Sequence, residues 1–317
     1  MSSGDVSSGG VSSGGVTPPE VTAPAPRRPD TPYEALAGFA DRTQPLVTHY
    51  AGPTQRVELS VASVANAVAK AAGLLRDGLG LPPGEAVVSV DLPVHWQLPV
   101  WVMAGLTVGA QVGRNLDEFV DVRIVGPDWP RDPLVGGQSD PPAAGDSQGP
   151  VDVEGSAEGE SPAEGRTQVE SQADQVLVSS CDAFGLPLPA AELAAIANRI
   201  AAPVLDIGVE ARAFPDLFQP EPGAGAAGGV RIAAGRRPEG GPIAAVRIGW
   251  VEWATRAAEG LPAGARLWVD ERTPSDELLA RTALIPLLRG GSVVIGTGLA
   301  PADADHIRTV ERVSEDG

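Results

Sequence analysis

The chain has 317 residues, 43% of them apolar and 20% charged, with one cysteine and a formal net charge of −18 at pH 7. That length fits one large domain or two small ones around a substantial core. A lone cysteine excludes an internal disulfide framework, a CxxC redox pair and a cysteine-based zinc site, and 23 Lys plus Arg against 41 Asp plus Glu argues against nucleic acid or an anionic membrane as partner.

Residues 1–30 open with a degenerate pentapeptide repeat, SSGDV-SSGGV-SSGGV, and continue into the proline-rich TPPEVTAPAPRRP. Their apolar mass is too small to offset the entropy of ordering, so this arm is expected to be disordered. It has neither the basic n-region nor the apolar h-region of a secretory signal, which predicts a cytoplasmic protein. A first α/β half is expected over 31–137. Within it, Val61, Val64, Ala65, Val68, Ala72, Leu75 and Leu79 recur at helical spacing after Ser60, and Gly78 and Gly80 close the run. Residues 86–92 (AVVSVDL) form a continuous apolar stretch after the turn PPGE, as a strand buried on both faces would.

The stretch 92–112 (LPVHWQLPVWVMAGLTVGAQV) lies in a gap without formal charge between Asp91 and Arg114. Pro93, His95, Gln97, Pro99, Gly105 and Gly109 interrupt it, so it reads as strand end, buried helix and strand, not as a membrane span. A further strand is expected at Val122–Val125. Residues 138–174 then carry nine acidic side chains and one basic one (Arg166), nearly half of the net charge, and no aromatic residue. Such a tract repels itself and reads as a solvated, disordered insertion, or alternatively as an acidic interaction surface.

A second α/β half is expected over 175–317. It comprises a strand at Gln175–Ser179, a helix at Ala190–Ala201, a helix at Ile243–Glu259 and a strand at Arg266–Asp270. Thr273-Pro274-Ser275-Asp276 has the form of a capping box with proline at the first helical position, opening a helix to Leu288. Gly290-Gly291 ends that helix before the buried strand SVVIG. Strands alternating with helices imply a layered α/β fold with mostly parallel sheets and flanking helices.

Residues 58–112 place a ser-capped helix, PPGEAVV, LPVHW and AGLTVGAQV in the order found in the N-terminal region of adenylate-forming enzymes, the AMP-binding acyl-CoA synthetase and peptide-synthetase superfamily. Residues 278–314 (LLARTALIPLLRGGSVVIG and a helix ending in ERVS) resemble a later strand and helix of the same superfamily. More narrowly, the chain resembles a family of short actinobacterial proteins with faint similarity to the N-terminal domain of those enzymes. The resemblance implies that the phosphate loop should fall in 221–242, where the sequence is EPGAGAAGGVRIAAGRRPEGGP: the glycines remain and the hydroxyls and lysine are missing. The chain also stops where the superfamily would continue to its adenine-pocket motif and its lysine-bearing C-terminal domain. The one lysine present, Lys70, belongs to the N-terminal amphipathic helix.

Other motifs are weighed on their residues. Gly223–Gly228 satisfies GxGxxG, but no strand precedes it and no helix follows, so it reads as a flexible loop, not a dinucleotide site. Arg236 and Arg237 are candidates for an anion site beside loop amides. His95 and Trp96 lie at a strand-to-helix junction, a usual ligand position in α/β folds, and are the candidate pocket. His49, His95 and His306 fit no metal-ligand spacing, and no metal or other cofactor is expected. Cys181 follows a strand end but has no base beside it in sequence, which favours a buried small hydrophobe. Trp101, Trp250, Trp253 and Trp268 read as core. Asp216 and Glu221 are loop charges, and no GxSxG occurs in the folded part, so no catalytic residue is assigned.

The expectation is a non-catalytic binding or regulatory module with the N-terminal fold of adenylate-forming enzymes. It would take a nucleotide or acyl ligand, or a protein partner, or associate with itself. The alternatives are an acyl- or aminoacyl-activating enzyme completed by a separate polypeptide, and an interaction scaffold that works through the acidic insertion.

Overall fold

The structure, a computed structural model, describes residues 29–129, 172–232 and 245–314. The repeat arm to residue 28, the acidic tract up to 171, and Arg236 with Arg237 lie outside the described residues.

Two sheets carry the fold. A four-stranded sheet has the order β10-β11-β1-β2, and a seven-stranded sheet the order β7-β6-β5-β3-β4-β8-β9. In the small sheet, β1 (Pro45–Ala51) pairs antiparallel with β2 (Gln55–Ser60) and parallel with β11 (Ser292–Thr297), which pairs parallel with β10 (Arg266–Val269). In the large sheet, β3 (Val87–Asp91), β4 (Gln111–Gly113), β5 (Val120–Val125), β6 (Ala173–Val178), β7 (Val204–Asp206) and β8 (Gly229–Ile232) run parallel, and β9 (Val246–Ile248) closes one edge antiparallel to β8. Each sheet draws strands from both sides of the acidic tract.

A helical layer lies between the sheets. α2 (Val61–Gly73) packs on β1 and β2, α3 (Gln97–Thr107) on β3 and β4, and α2 and α3 pack on each other and on α1 (Pro32–Ala37). The expected stripe of α2 is buried, Ser60 caps the helix by accepting the Ser63 N–H at 3.1 Å, and a π-helical turn extends it over Leu74–Gly78. The main core fills this interlayer, taking Val47, Val293 and Ile295 from the small sheet and Val88, Val122, Ile124 and Leu177 from the large one. Alternate residues face outward to smaller clusters: Val176 and Val178 pack with Ile196 of α4 (Ala190–Ala197), and Tyr50, Trp268 and Val294 pack with Ile307 of α10 (Pro301–Val310). That period of two is what a strand covered on both faces requires.

Every residue of α3 is buried, which explains its membrane-like composition: a helix apolar all round is one enclosed by protein. Among the described residues no helix is long and apolar enough to cross a membrane. Trp101, Trp250, Trp253 and Trp268 are all core residues.

Four expectations are corrected. The helix expected over 243–259 divides into the edge strand β9 and α7 (Trp250–Ala257), because Val246, Arg247 and Ile248 pair with Ile232, Arg231 and Val230 across the sheet. The capping box at Thr273 does not form: the Thr273 hydroxyl instead accepts the Asp270 N–H at 3.1 Å, and Pro274 is the N-cap of α8 (Ser275–Leu279), which runs through a π-helical turn into α9 (Ile285–Arg289). GxGxxG is not simply a loop, since Gly223 caps the one-turn helix α6 (Ala224–Ala227) and β8 follows. The strand expected at 175 begins at Ala173, inside the stretch assigned to the acidic tract.

A Cβ on Gly105 of α3 would stand 2.6 Å from Cγ2 of Val112 in β4. Gly-to-Ala inside a helix ordinarily gains about 1 kcal/mol of propensity, whereas overpacking costs about 1–3 kcal/mol. Gly105→Ala is therefore expected to lower stability by about 1 kcal/mol in urea unfolding. In a Val112→Ala background the same substitution should become stabilising.

Candidate functional site

After β3 the chain crosses to β4 on one side, then returns to the other side of β3 to form β5, β6 and β7 in turn. The crossover changes direction at β3 and β5, so the crevice beyond their carboxyl ends is where an open α/β sheet offers a ligand site. His95, Trp96 and Gln97 leave β3 at this point and open α3.

The segment is fixed from below by a buried ion pair. The Arg123 guanidinium on β5 bonds the Asp91 carboxylate at the end of β3, with side-chain exposures of only 6% and 4%. Asp91 also accepts the Ser89 hydroxyl at 2.8 Å and the Asn115 N–H at 2.6 Å, and Arg123 donates to the Leu116 carbonyl at 2.9 Å. Arg114 donates to the carbonyls of Val90 and Leu92 at 3.2 and 2.5 Å, so the first residue past the strand is held as well.

On one side of this segment two imidazoles meet. His49 of β1 and His95 stack edge to face with ring centroids 4.8 Å apart, which joins the two sheets across the interlayer. Thr297 donates its hydroxyl to the Tyr50 carbonyl and therefore accepts the His49 Nε2–H, at 3.1 Å. His95 Nδ1 accepts the Gln97 N–H at 3.3 Å, which leaves the ring proton on Nε2, buried and without a partner. Burial holds His49 at about 4. Burial first, then His49, takes His95 down to about 3 against a smaller opposing pull from Asp182. Both rings are thus neutral near pH 7.

On the other side lies the turn after β6. The Ser179 hydroxyl bonds Gln97 Oε1 and accepts the Cys181 N–H at 3.0 Å. Ser180 donates to the Leu186 carbonyl at 2.6 Å, and Asp182 accepts the Phe184 N–H at 2.8 Å. Asp206, at the end of β7, accepts the Leu188 and Gly208 N–H groups, each at 2.7 Å, and so pins the turn to α5 (Ile207–Glu210). Cys181 has a left-handed φ of 53° and a thiol pushed up to about 11, mainly by burial. At neutral pH it is a protonated thiol, a weak nucleophile.

These restraints bring Gly185 against the Trp96 ring and leave an open slot of about 140 Å³, lined also by Phe184. Trp96, Trp101 and Phe184 line it together with Ala67, Ala71 and Ala211. Gly185, with φ 64°, is required for close approach: a Cβ there would sit 3.0 Å from Gln97 Nε2 and 3.4 Å from the Trp96 ring.

Of the residues singled out in the sequence, the structure thus places His95 and Trp96 at the crevice and brings His49 to them. Arg236 and Arg237 are outside the described residues. Among the described residues no group of three potential ligands converges on a metal position. Lys70 lies on α2, bonded to Asp216 at 2.7 Å and to the Phe214 carbonyl at 3.1 Å. The Asp91–Arg123 pair, Phe184, Gly185 and Arg212 went unnoticed in sequence. One usable signal was present, charged residues within two largely apolar strand patterns, Asp91 in VVSVD and Asp121 and Arg123 in VDVRIV.

Replacing Asp91 with Ala strands a buried guanidinium, and the expected loss in denaturant unfolding is about 3–5 kcal/mol. The double variant Asp91→Leu, Arg123→Met should lose less than the two single variants combined. The imidazoles predict acid sensitivity of definite sign. Their folded values lie below the unfolded value of 6.5, so their neutral-state contribution is complete above pH 6.5 and is lost as pH falls toward 4. The expected slope is about 1.4 kcal/mol per pH unit for each ring, and urea midpoints of His95→Phe measured between pH 7 and pH 5 should show roughly half the wild-type slope.

No family model matches the chain. A stretch of 73 residues is 40% identical to the TIGR03089 family protein of Mycobacterium tuberculosis, covering 23% of this chain and 30% of that protein. Among solved structures, the inhibitor-bound N-terminal domain of FACL13 from M. tuberculosis superposes with a TM-score of 0.54 at 14% identity, over 89% of this chain and 61% of that one. The M. tuberculosis fatty acyl CoA synthetase gives 0.52 at 15% identity over 90% and 48%. The fatty acyl-adenylate ligase of L. pneumophila, in complex with acyl adenylate and pyrophosphate, gives 0.53 at 11% over 90% and 43%. The chain spans less than two thirds of each of these proteins. It has the fold of the N-terminal part of acyl-CoA synthetase-like, adenylate-forming enzymes.

Proposed function

We propose that the chain is a non-catalytic binding or regulatory module built on this fold. The observation that carries the reading is the state of its only ammonium group. Forming an adenylate from ATP requires positioned donors on the α-phosphate and the departing pyrophosphate. Lys70, on α2, is committed to Asp216 and the Phe214 carbonyl, and the glycine-rich stretch 221–242 has no lysine, serine or threonine. The charged groups at the crevice are likewise occupied, since Asp91 holds Arg123 and Asp206 caps α5.

A second reading, an acyl-activating enzyme that acts with a separate polypeptide, draws on the likeness of its fold to that of acyl-CoA synthetase-like, adenylate-forming enzymes. Its missing lysine would come from that partner.

Magnesium-dependent ATP–pyrophosphate exchange with a panel of carboxylic acids separates the two. The module reading expects no exchange above background for the purified chain, together with a thermal shift for at least one of ATP, AMP, CoA or an acyl-adenylate analogue. A ligand at 100 times its dissociation constant contributes about 2.7 kcal/mol, enough to move the midpoint visibly. Robust exchange by the chain alone would rule the reading out.

A further inference from the structure

We infer that the proline-rich end of the N-terminal arm, residues 23–28 (APAPRR), packs back into the groove that α1 and the loop after it form with the end of α9. The inference does not depend on whether the chain forms an adenylate.

The arm joins the fold at a tightly held point. The Trp250 indole N–H, on α7, donates to the Asp30 carbonyl at 3.1 Å, and the Asp30 N–H donates to the Glu34 carboxylate at 2.7 Å. Gly225, in α6, lets that carbonyl approach, since a Cβ there would stand 1.7 Å from the Asp30 oxygen. The second glycine of GxGxxG thus serves a close backbone contact. Pro29, one residue outward, lines three open grooves of about 650, 300 and 550 Å³. A chain leaving Pro29 starts where all three meet.

Charge distinguishes the grooves. The charged residues lining the largest are Glu34 and Asp41, both acidic. The donors they accept, the Asp30, Thr31 and Thr43 N–H groups and the Thr43 hydroxyl, are uncharged and leave the carboxylates their negative charge. The 300 Å³ groove presents Arg289, and in the 550 Å³ groove Glu252 is already paired with Arg256 at 2.5 Å. Arg27 and Arg28, the only basic residues before Pro29, stand directly beside it in the sequence. They therefore emerge next to two carboxylates, and surface charges of opposite sign set orientation even where they add little energy. The apolar side agrees, because Ala35, Phe39 and Leu287 line the same groove and the arm offers Pro24 and Pro26 between alanines. A proline-rich segment has little conformational freedom to lose on docking, and at about 3.1 Å per residue six residues reach about 19 Å from Pro29.

The test follows the full chain by proton–nitrogen NMR. A nitroxide on Ala23→Cys, in a Cys181→Ala background that leaves a single thiol, broadens the amides near it. A docked arm is expected to broaden Gly38, Phe39 and Asp41 severalfold more than Ala226, Thr255 and Arg256, which line the 550 Å³ groove; an arm free beyond Pro29 would broaden both groups alike. Reversing both charges with Arg27→Glu and Arg28→Glu should cut that contrast about fivefold, and adding Asp41→Arg should restore part of it. Nitroxide-bearing chains mixed with nitrogen-15 chains that carry no nitroxide should leave both groups sharp; broadening there would give the groove to the arm of a second copy. Should the Cys181→Ala chain fail to fold, hydrogen exchange of the Phe39, Ala40 and Asp41 amides in the chain with its native cysteine should quicken severalfold on the double charge reversal. Equal broadening of the two groups, a contrast indifferent to the charge reversal, broadening between chains, or unchanged exchange would each overturn the inference.

Discussion

The buried pair between Asp91 and Arg123 is the constraint on which the crevice depends. Besides the pair's own bond, four hydrogen bonds converge on it from β3 and the turn after β4, so the carboxyl end of the central strand has one place to go. A buried ion pair contributes little net stability over well-packed apolar residues, but breaking it is expensive. Its value here is positional. With Asp91 fixed and Leu92 held by Arg114, the next five residues carry His95 to the small sheet and Trp96 to the turn after β6.

That geometry also explains how the two sheets stay in register with each other. The apolar interlayer supplies most of the burial, yet close-packed aliphatic contacts alone tolerate sliding more readily than directional ones do. The His49–His95 contact and the capped α2 are directional and span the layer. A second set closes the outer face of the small sheet: Glu311 takes the Tyr50 hydroxyl at 2.5 Å and the Arg56 Nε at 3.1 Å, and bonds Arg266 as well. The short C-terminal helix is thereby tied to three strands by one carboxylate.

Local patterns were legible in the sequence and distant pairings were not. The stripe from Val61 to Leu75 is a property of one helix, and the structure returns it residue for residue. The apolar run of α3 was correctly separated from a membrane span because its prolines and glycines are local facts. Val246–Ile248 was merged into the following helix because nothing nearby in sequence says that Val230–Ile232 will lie beside it. Thr273 was misplaced as a cap because its hydroxyl had a competing partner, Asp270, three residues back. At the site, His95 and Trp96 could be proposed from their strand-to-helix position. His49 could not, since it arrives from the other sheet, on a strand that pairs with β11 across a separation of 246 residues. Phe184 and Gly185 depend on a turn that Ser179, Ser180 and Asp182 fold through side-chain bonds to backbone, a competition with regular structure that composition alone does not resolve.

At the crevice the buried imidazoles and the thiol are held neutral, and Asp91 and Arg123 are paired with each other. Both imidazoles are held unprotonated near pH 7, the thiol keeps its proton, and the one lysine, on α2, is turned to the Asp216 carboxylate. A net charge of −18 adds a long-range field that opposes the approach of a polyanion.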